Sequence, residues 1–80
     1  MTEQLSASLV LDLKGLLCPI PVVRISQAIR SLPPGAVIEA TATDPGVLVD
    51  IPAWCRSTGN ELVSIERRDR LVLFRVKKVA

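Results

Sequence analysis

One cysteine stands in a setting that favours nucleophilic sulfur chemistry. Cys18 opens the tetrapeptide Cys18-Pro19-Ile20-Pro21, between a strand-like and a helix-like stretch. Proline is common at the first helical position and directs the residue before it to extended backbone, so Cys18 is predicted to be a helix N-cap. The unpaired N–H groups of a helix N-terminus stabilise an anion, so we expect a lowered thiol pKa and a reactive thiolate.

The residue types present limit how this thiol could be activated. The 80 residues include two cysteines and no histidine, so Cys–His and Ser–His catalytic pairs cannot form within one chain. Two cysteines also fall short of a four-ligand zinc site. We therefore expect no metal, no cofactor, and a nucleophile that works without a neighbouring base.

Length and charge indicate one small cytoplasmic domain. The net charge of +2 is too balanced to indicate nucleic-acid binding, and no apolar stretch approaches the roughly 20 residues that cross a bilayer. The first eight residues lack a basic n-region, so no secretory signal is predicted. In a reducing cytosol, the two cysteines are not expected to form a structural disulfide.

Periodicity predicts a chain of four strands and two helices. Alternating apolar residues indicate strands near 9–13 and 38–42, and further strands are predicted at 61–66 and 71–76. An amphipathic helix of three to four turns is predicted between the Cys-Pro motif and Leu32, ended by Pro33-Pro34-Gly35.

A second helix is predicted to begin with Asp44 as its N-cap and Pro45 at its first position, and to end at Gly59. Pro52 is expected to kink it. The last two strands are joined by a predicted turn that contains Arg67, Arg68, Asp69 and Arg70.

The order βαβαββ predicts an α+β, two-layer sandwich. Right-handed crossovers place both helices on one face of the sheet. The fourth strand then fits antiparallel between the second and third, which gives a mixed four-stranded sheet of order 1-2-4-3. In that topology Cys18, Asp44 and the arginine turn lie at one common end.

Four motifs carry a resemblance to a known family: Gly15-Leu16-Leu17-Cys18-Pro19-Ile20-Pro21, Asp44-Pro45-Gly46, Trp54-Cys55 and Gly59-Asn60-Glu61-Leu62. The chain resembles the TusA family, the SirA-like, Cys-Pro-x-Pro sulfur carriers, as a single domain over about residues 8–78. The resemblance implies the sandwich fold and a sulfurtransferase that carries a persulfide on Cys18. It also implies a sulfur-donor protein, of cysteine desulfurase or rhodanese type, and a sulfur-acceptor protein. The destination stays open between tRNA thiolation, molybdenum cofactor synthesis and sulfur oxidation.

The residues around Cys18 suit a carrier. Gly15, Pro19, Ile20 and Pro21 are interpreted as support for the motif, because the prolines stiffen the turn and keep Cys18 at its tip. Replacement of Pro19 or Pro21 by alanine is expected to leave the fold intact. Pro21 takes the place where a thioredoxin-like motif has its second cysteine, so no resolving thiol would expel the persulfide sulfur.

Other notable residues have simpler interpretations. Cys55 is expected to pack in the core, Trp54 to lie at the core edge, and Asp44 to serve as a helix cap. The basic side chains near the predicted site either are solvated or dock a partner; they are Lys14, Arg24, Arg67, Arg68 and Arg70.

Two other classes of function compete with the carrier. In one, the domain is a noncatalytic interaction or regulatory module in which Cys18 only caps a helix. In the other, the basic turn binds RNA, which is weakly supported because aromatic residues for base stacking are lacking. We expect no direct nucleic-acid or membrane partner, and a monomer when free.

Overall fold

The computed structural model describes residues 8–79, and they alternate strands and helices in the predicted order. The elements are β1 (Leu9–Leu13), α1 (Ile20–Ile29), β2 (Val37–Ala42), α2 (Val47–Thr58), β3 (Glu61–Arg68) and β4 (Leu71–Lys77). The N-terminal segment that was considered for a secretory signal lies almost wholly outside the described residues. Within residues 8–79, neither helix has the length and apolar content that crossing a bilayer requires.

The four strands form one mixed sheet of order β1-β2-β4-β3. β1 and β2 are parallel, with Leu13 opposite Ala42, whereas β4 runs antiparallel to both β2 and β3. Parallel neighbours require a crossover, which α1 supplies. The predicted α+β sandwich, its strand order and its antiparallel fourth strand are therefore confirmed.

The core lies between the sheet and the two helices. Each helix buries one stripe of residues spaced by four, Pro21, Ile25 and Ile29 on α1 and Val47, Ile51 and Cys55 on α2. The two central strands bury every second residue, as a sheet covered on one face does; β2 buries Ile38, Ala40 and Ala42, and β4 buries Val72, Phe74 and Val76. These stripes fix both helices over the sheet and so fix the loops that precede them.

The helix ends differ from the prediction. α1 ends at Ile29 rather than near Leu32, whose N–H instead closes a turn on the Ile29 carbonyl at 3.2 Å. The residue before a proline is disfavoured in helical backbone, so Pro33 keeps Leu32 out of the helix. α2 ends as predicted at Gly59, whose left-handed φ of 79° and N–H bond to Cys55 O form its C-cap. The helix continues through Pro52, and the kink stays a prediction.

The β3–β4 connection is shorter than predicted. Arg67 and Arg68 lie in β3, and Arg68 is paired with Leu71, so only Asp69 and Arg70 form the turn. Asp69 adopts φ 54°, a left-handed conformation that aspartate tolerates better than most residues. The prediction that all four residues lie in the turn is wrong, because a two-residue hairpin leaves the flanking arginines in the ladder.

Candidate functional site

The loops after β1 and β2 meet at one end of the sheet. Both strands are parallel, so both loops leave from their carboxyl ends. Gly15, in a left-handed turn with φ 83°, donates its N–H to Oγ1 of Thr43 at 2.9 Å. This bond joins the loop that carries Cys18 to the loop that leads into α2.

Cys18 is not the N-cap of α1, which corrects the prediction. The N-cap is Pro19, no side chain caps the helix, and Pro21 occupies its first turn. The Ile20 N–H donates to Leu17 O at 2.9 Å, and this turn encloses Cys18 and Pro19. Cys18 therefore lies one residue before the cap, and the N–H of Ile20 is already bonded.

Asp44 binds Cys18 instead of capping α2. Its Oδ2 accepts the Cys18 N–H at 2.7 Å, and its Oδ1 accepts the Gly46 N–H at 3.0 Å. Gly46 is the N-cap, so the prediction of an Asp44 cap is wrong by two residues. Pro45 has no N–H, so the carboxylate reaches the next donor along the chain.

The sulfur of Cys18 lies over the start of α2. A Cβ placed on Gly46 would be 3.1 Å from Sγ of Cys18, so the missing side chain leaves room for the sulfur. Asp50 follows Gly46 by one helical turn, and its N–H bonds to Gly46 O at 2.9 Å. Its carboxylate raises the pKa of the Cys18 thiol through a hydrogen bond and through its charge. The thiol thus meets a helix N-terminus, but that of α2, together with two acidic groups.

These groups reverse the expected ionisation. Burial, followed by the hydrogen bond to Asp50 and the charges of Asp44 and Asp50, raises the pKa of the Cys18 thiol to about 12. Among residues 8–79 no cation offsets this rise. The prediction of a lowered pKa is wrong, because it rested on a helix dipole and basic neighbours, whereas burial and then the nearby anions disfavour the thiolate.

The carboxylate of Asp44 shows the opposite effect. The N–H groups of Cys18 and Gly46 hold the pKa of Asp44 below its usual range. A carboxylate that accepts backbone N–H bonds is stabilised in its charged form. Asp44 therefore stays ionised beside the sulfur at neutral pH.

The supporting motif residues have separate roles. Ile20 is 41% exposed, whereas Pro21 is fully buried in the core. Pro21 packs its ring in the interior, so alanine there is expected to cost stability. That the fold survives alanine at either proline stays a prediction. Leu17, which precedes Cys18 in sequence, and Val49, which precedes Asp50, are large apolar residues that are each 71% exposed.

The basic residues proposed for docking all lie on the surface: Lys14, Arg24, Arg67, Arg68 and Arg70. Lys14 Nζ is 4.0 Å from an Asp12 carboxylate oxygen, and Arg68 Nε is 2.6 Å from one of Glu66. Ala42, at the carboxyl end of β2, is paired with Val72. The register therefore places the β3–β4 hairpin at the Cys18 end of the sheet, as expected; docking itself stays a prediction.

The second cysteine is buried in the core. Cys18 and Cys55 are both free, and Cys55 is only 4% exposed within the core cluster, against which Trp54 packs. Both packing predictions are confirmed. Burial also raises the pKa of the Cys55 thiol.

Sequence analysis missed Gly46 and Asp50 as neighbours of the sulfur. The motif Asp44-Pro45-Gly46 was interpreted only as a helix start. The signal was available: Asp50 lies one turn after Gly46 on α2, and parallel β1 and β2 place the start of α2 beside Cys18.

Within residues 8–79, no three Cys, Asp or Glu side chains form a group that could bind a metal ion.

Comparisons with known proteins agree with this architecture. The family model described as Sulfurtransferase TusA matches residues 9–78. The sulfur carrier protein TusA of Pseudomonas syringae pv. tomato is 40% identical over 76 residues, which are 95% of this chain and 90% of that protein. The sulfur carrier protein TusA of Pseudomonas aeruginosa is 38% identical over 80 residues, covering 100% of this chain and 99% of that protein.

Some relatives are longer. The putative sulfur carrier protein YrkF of Bacillus subtilis is 38% identical over 92% of this chain, which spans only 40% of that protein. The crystal structure of a SirA-like protein from Desulfitobacterium hafniense has a TM-score of 0.77 at 19% identity, covering 90% of this chain and 99% of that one. That likeness concerns the fold.

Proposed function

Since the chain belongs to the TusA family, we propose that it accepts sulfane sulfur as a persulfide on Cys18 and passes it to an acceptor protein. The proposed functional unit is the single domain of residues 8–78. The observation that carries the proposal is the position of Cys18. It is a half-buried free thiol in the Cys-Pro-x-Pro turn, and the other thiol is buried in the core.

The proposed loading step exchanges one sulfur–sulfur bond for another. Sγ of Cys18 attacks the outer sulfur of a donor persulfide, and the bond between the two donor sulfurs breaks. The electron pair leaves on the donor cysteine, which takes up the proton that Cys18 loses. Delivery repeats the step, with Cys18 as the leaving group and the acceptor as the nucleophile. Neither step changes the overall oxidation state.

The ionisation of Cys18 affects how the partners must act. A thiol with a pKa of about 12 is almost wholly protonated at neutral pH. The thiolate is the attacking form, so the donor protein must supply a base or a positive charge during loading. A donor of cysteine desulfurase or rhodanese type fits this proposal, and both partners would approach the end of the sheet that exposes Leu17, Val49 and the arginine hairpin.

The noncatalytic alternative has less support. It requires Cys18 to be a passive helix cap, but the N-cap of α1 is Pro19 and has no side-chain cap bond. RNA binding by the hairpin also has little support, because the single Trp packs against the core and the single Phe is buried within it.

Mass spectrometry tests the proposal. The protein is incubated with a cysteine desulfurase and free cysteine, and a gain of about 32 Da per added sulfur is expected on the Cys18 peptide. Cys55→Ala should load like wild type, and Cys18→Ser should not load. Loading of Cys18→Ser at the wild-type level would contradict the proposal.

A further inference from the structure

Two carboxylates lie near Sγ of Cys18, the atom that would bind the transferred sulfur. Asp44 is fixed there by its bonds to the N–H groups of Cys18 and Gly46, at 2.7 and 3.0 Å. Asp50 lies on the first turn of α2, whose start contacts Sγ of Cys18, and it contributes to the raised pKa of the thiol. The two groups belong to different elements and reach Cys18 independently.

The cations on the surrounding elements do not offset these carboxylates. Lys14, on the same loop as Cys18, is close to Asp12. Arg24 on α1 is exposed to solvent. On the hairpin, Arg68 is paired with Glu66, and Arg67 Nε bonds to the carbonyl of Asp69 at 3.3 Å; Arg70 is exposed. None of these groups lowers the pKa of the thiol.

We propose that Asp44 and Asp50 are positioning residues that retain the sulfur on Cys18 by slowing its transfer to small thiols. This inference rests on the proposed function. Under this proposal, the carrier also protects its bound sulfur from small thiols while no partner protein is bound.

The protected reaction is attack by a small thiolate on the outer sulfur of the Cys18 persulfide. A bond forms between the two sulfurs, the bond from Sγ to the outer sulfur breaks, and the electron pair leaves on Sγ. The products are a small-molecule persulfide and the Cys18 thiol, which regains a proton from solvent. The oxidation states balance.

The carboxylates slow this reaction through the leaving group. Thiol–disulfide exchange is slower when the leaving thiol has a higher pKa, because more negative charge develops on a sulfur that stabilises it poorly. Two fixed anions beside Sγ oppose that charge. They also repel an incoming anionic nucleophile.

Neutralising Asp50 should therefore weaken the retention. In Asp50→Asn, the midpoint for Cys18 alkylation by iodoacetamide should shift to lower pH by about one unit or more. Loss of sulfur from the loaded protein to glutathione at pH 7.5 should become at least about threefold faster. Asp44→Asn should change both in the same direction.

Asp69→Asn is the matched control. It removes the same charge from the same end of the sheet, and asparagine tolerates the left-handed backbone of that turn. Peptide-level mass analysis separates Cys18 from Cys55, and circular dichroism verifies that each variant is folded.

The outcomes separate the two proposals. A wild-type protein that takes up no sulfur overturns the proposed function and this inference with it. If wild type loads but Asp50→Asn matches Asp69→Asn in both alkylation midpoint and sulfur loss, only this inference is overturned. A lower midpoint and faster loss, confined to Asp50→Asn and Asp44→Asn, support it.

Discussion

The carboxylate of Asp44 accepts a 2.7 Å hydrogen bond from the backbone N–H of Cys18, across 26 positions of sequence. The other oxygen of the same carboxylate binds the N-cap of α2. One side chain therefore links the loop of the nucleophile to the helix whose start contacts the sulfur. This link determines where Sγ lies and places a negative charge next to it.

The first prediction concerns the pH dependence of Cys18 reactivity. Because the pKa of the thiol is raised to about 12, the thiolate fraction should keep increasing with pH well above the ordinary thiol range. Alkylation of Cys18 by iodoacetamide, followed at the peptide level, should rise through pH 9 and 10 without reaching a plateau. A plateau below pH 9 would show that burial and the two carboxylates do not raise the pKa of this thiol.

The second prediction concerns acid stability. The pKa of Asp44 is lowered in the folded state, so its charged form contributes stability that is present above its unfolded pKa, near 3.8. That contribution is lost as pH falls through the lowered folded value. Urea midpoints at pH 6 and pH 3 should therefore differ less for Asp44→Asn than for wild type. Asp69→Asn should behave as wild type, and an unchanged difference in Asp44→Asn would exclude this role.

The third prediction separates buried from exposed prolines. Pro21 is fully buried as part of the α1 stripe, so Pro21→Ala should lower the free energy of unfolding by about 1–2 kcal/mol. Pro34 is exposed in the loop after α1, and Pro34→Ala should change stability by no more than about 0.5 kcal/mol. Equal urea midpoints for the two variants would mean that the Pro21 ring does not contribute to packing.

The fourth prediction concerns the arginine hairpin. Replacing Arg67, Arg68 and Arg70 by Glu should slow association with an acidic donor protein about tenfold at low salt, and less at high salt. Stability should change by less than about 1 kcal/mol, because the Arg68–Glu66 pair is solvent-exposed.

A matched control reverses the charge of three cations at the C-terminal ends of the helices or at the opposite end of the sheet: Arg30, Arg56 and Lys77. Surface plasmon resonance at two salt concentrations gives both association rates. Equal slowing by the two triple variants would assign the effect to net charge rather than to the hairpin.

The fold could be predicted because its determinants are local. Alternation on β2, the four-residue stripes on both helices and the left-handed Gly59 each specify an element without distant information. The site could be predicted only in part. The Cys-Pro-x-Pro motif identified Cys18, but the thiol pKa depends on burial in the folded chain and on Asp44 and Asp50, which lie outside the motif.

The pKa of Cys18 was predicted to shift in the wrong direction for a physical reason. The helix dipole places a partial positive charge at an N-terminus and so favours a nearby anion. A carboxylate bound to the same N–H groups cancels that positive charge. The Asp-Pro-Gly motif contained the carboxylate. Its side chain turned toward Cys18 because Pro45 offers no donor and the parallel strands bring the two loops together.

The central claim, that Cys18 carries the sulfur, is tested most directly by counting cyanide-reactive sulfur after loading. Wild type and Cys55→Ala, loaded by a cysteine desulfurase and freed of donor, should each release about one thiocyanate per chain on treatment with cyanide. Cys18→Ser should release none under the same conditions. Release of about one thiocyanate per chain from Cys18→Ser, with none from Cys55→Ala, would contradict the account.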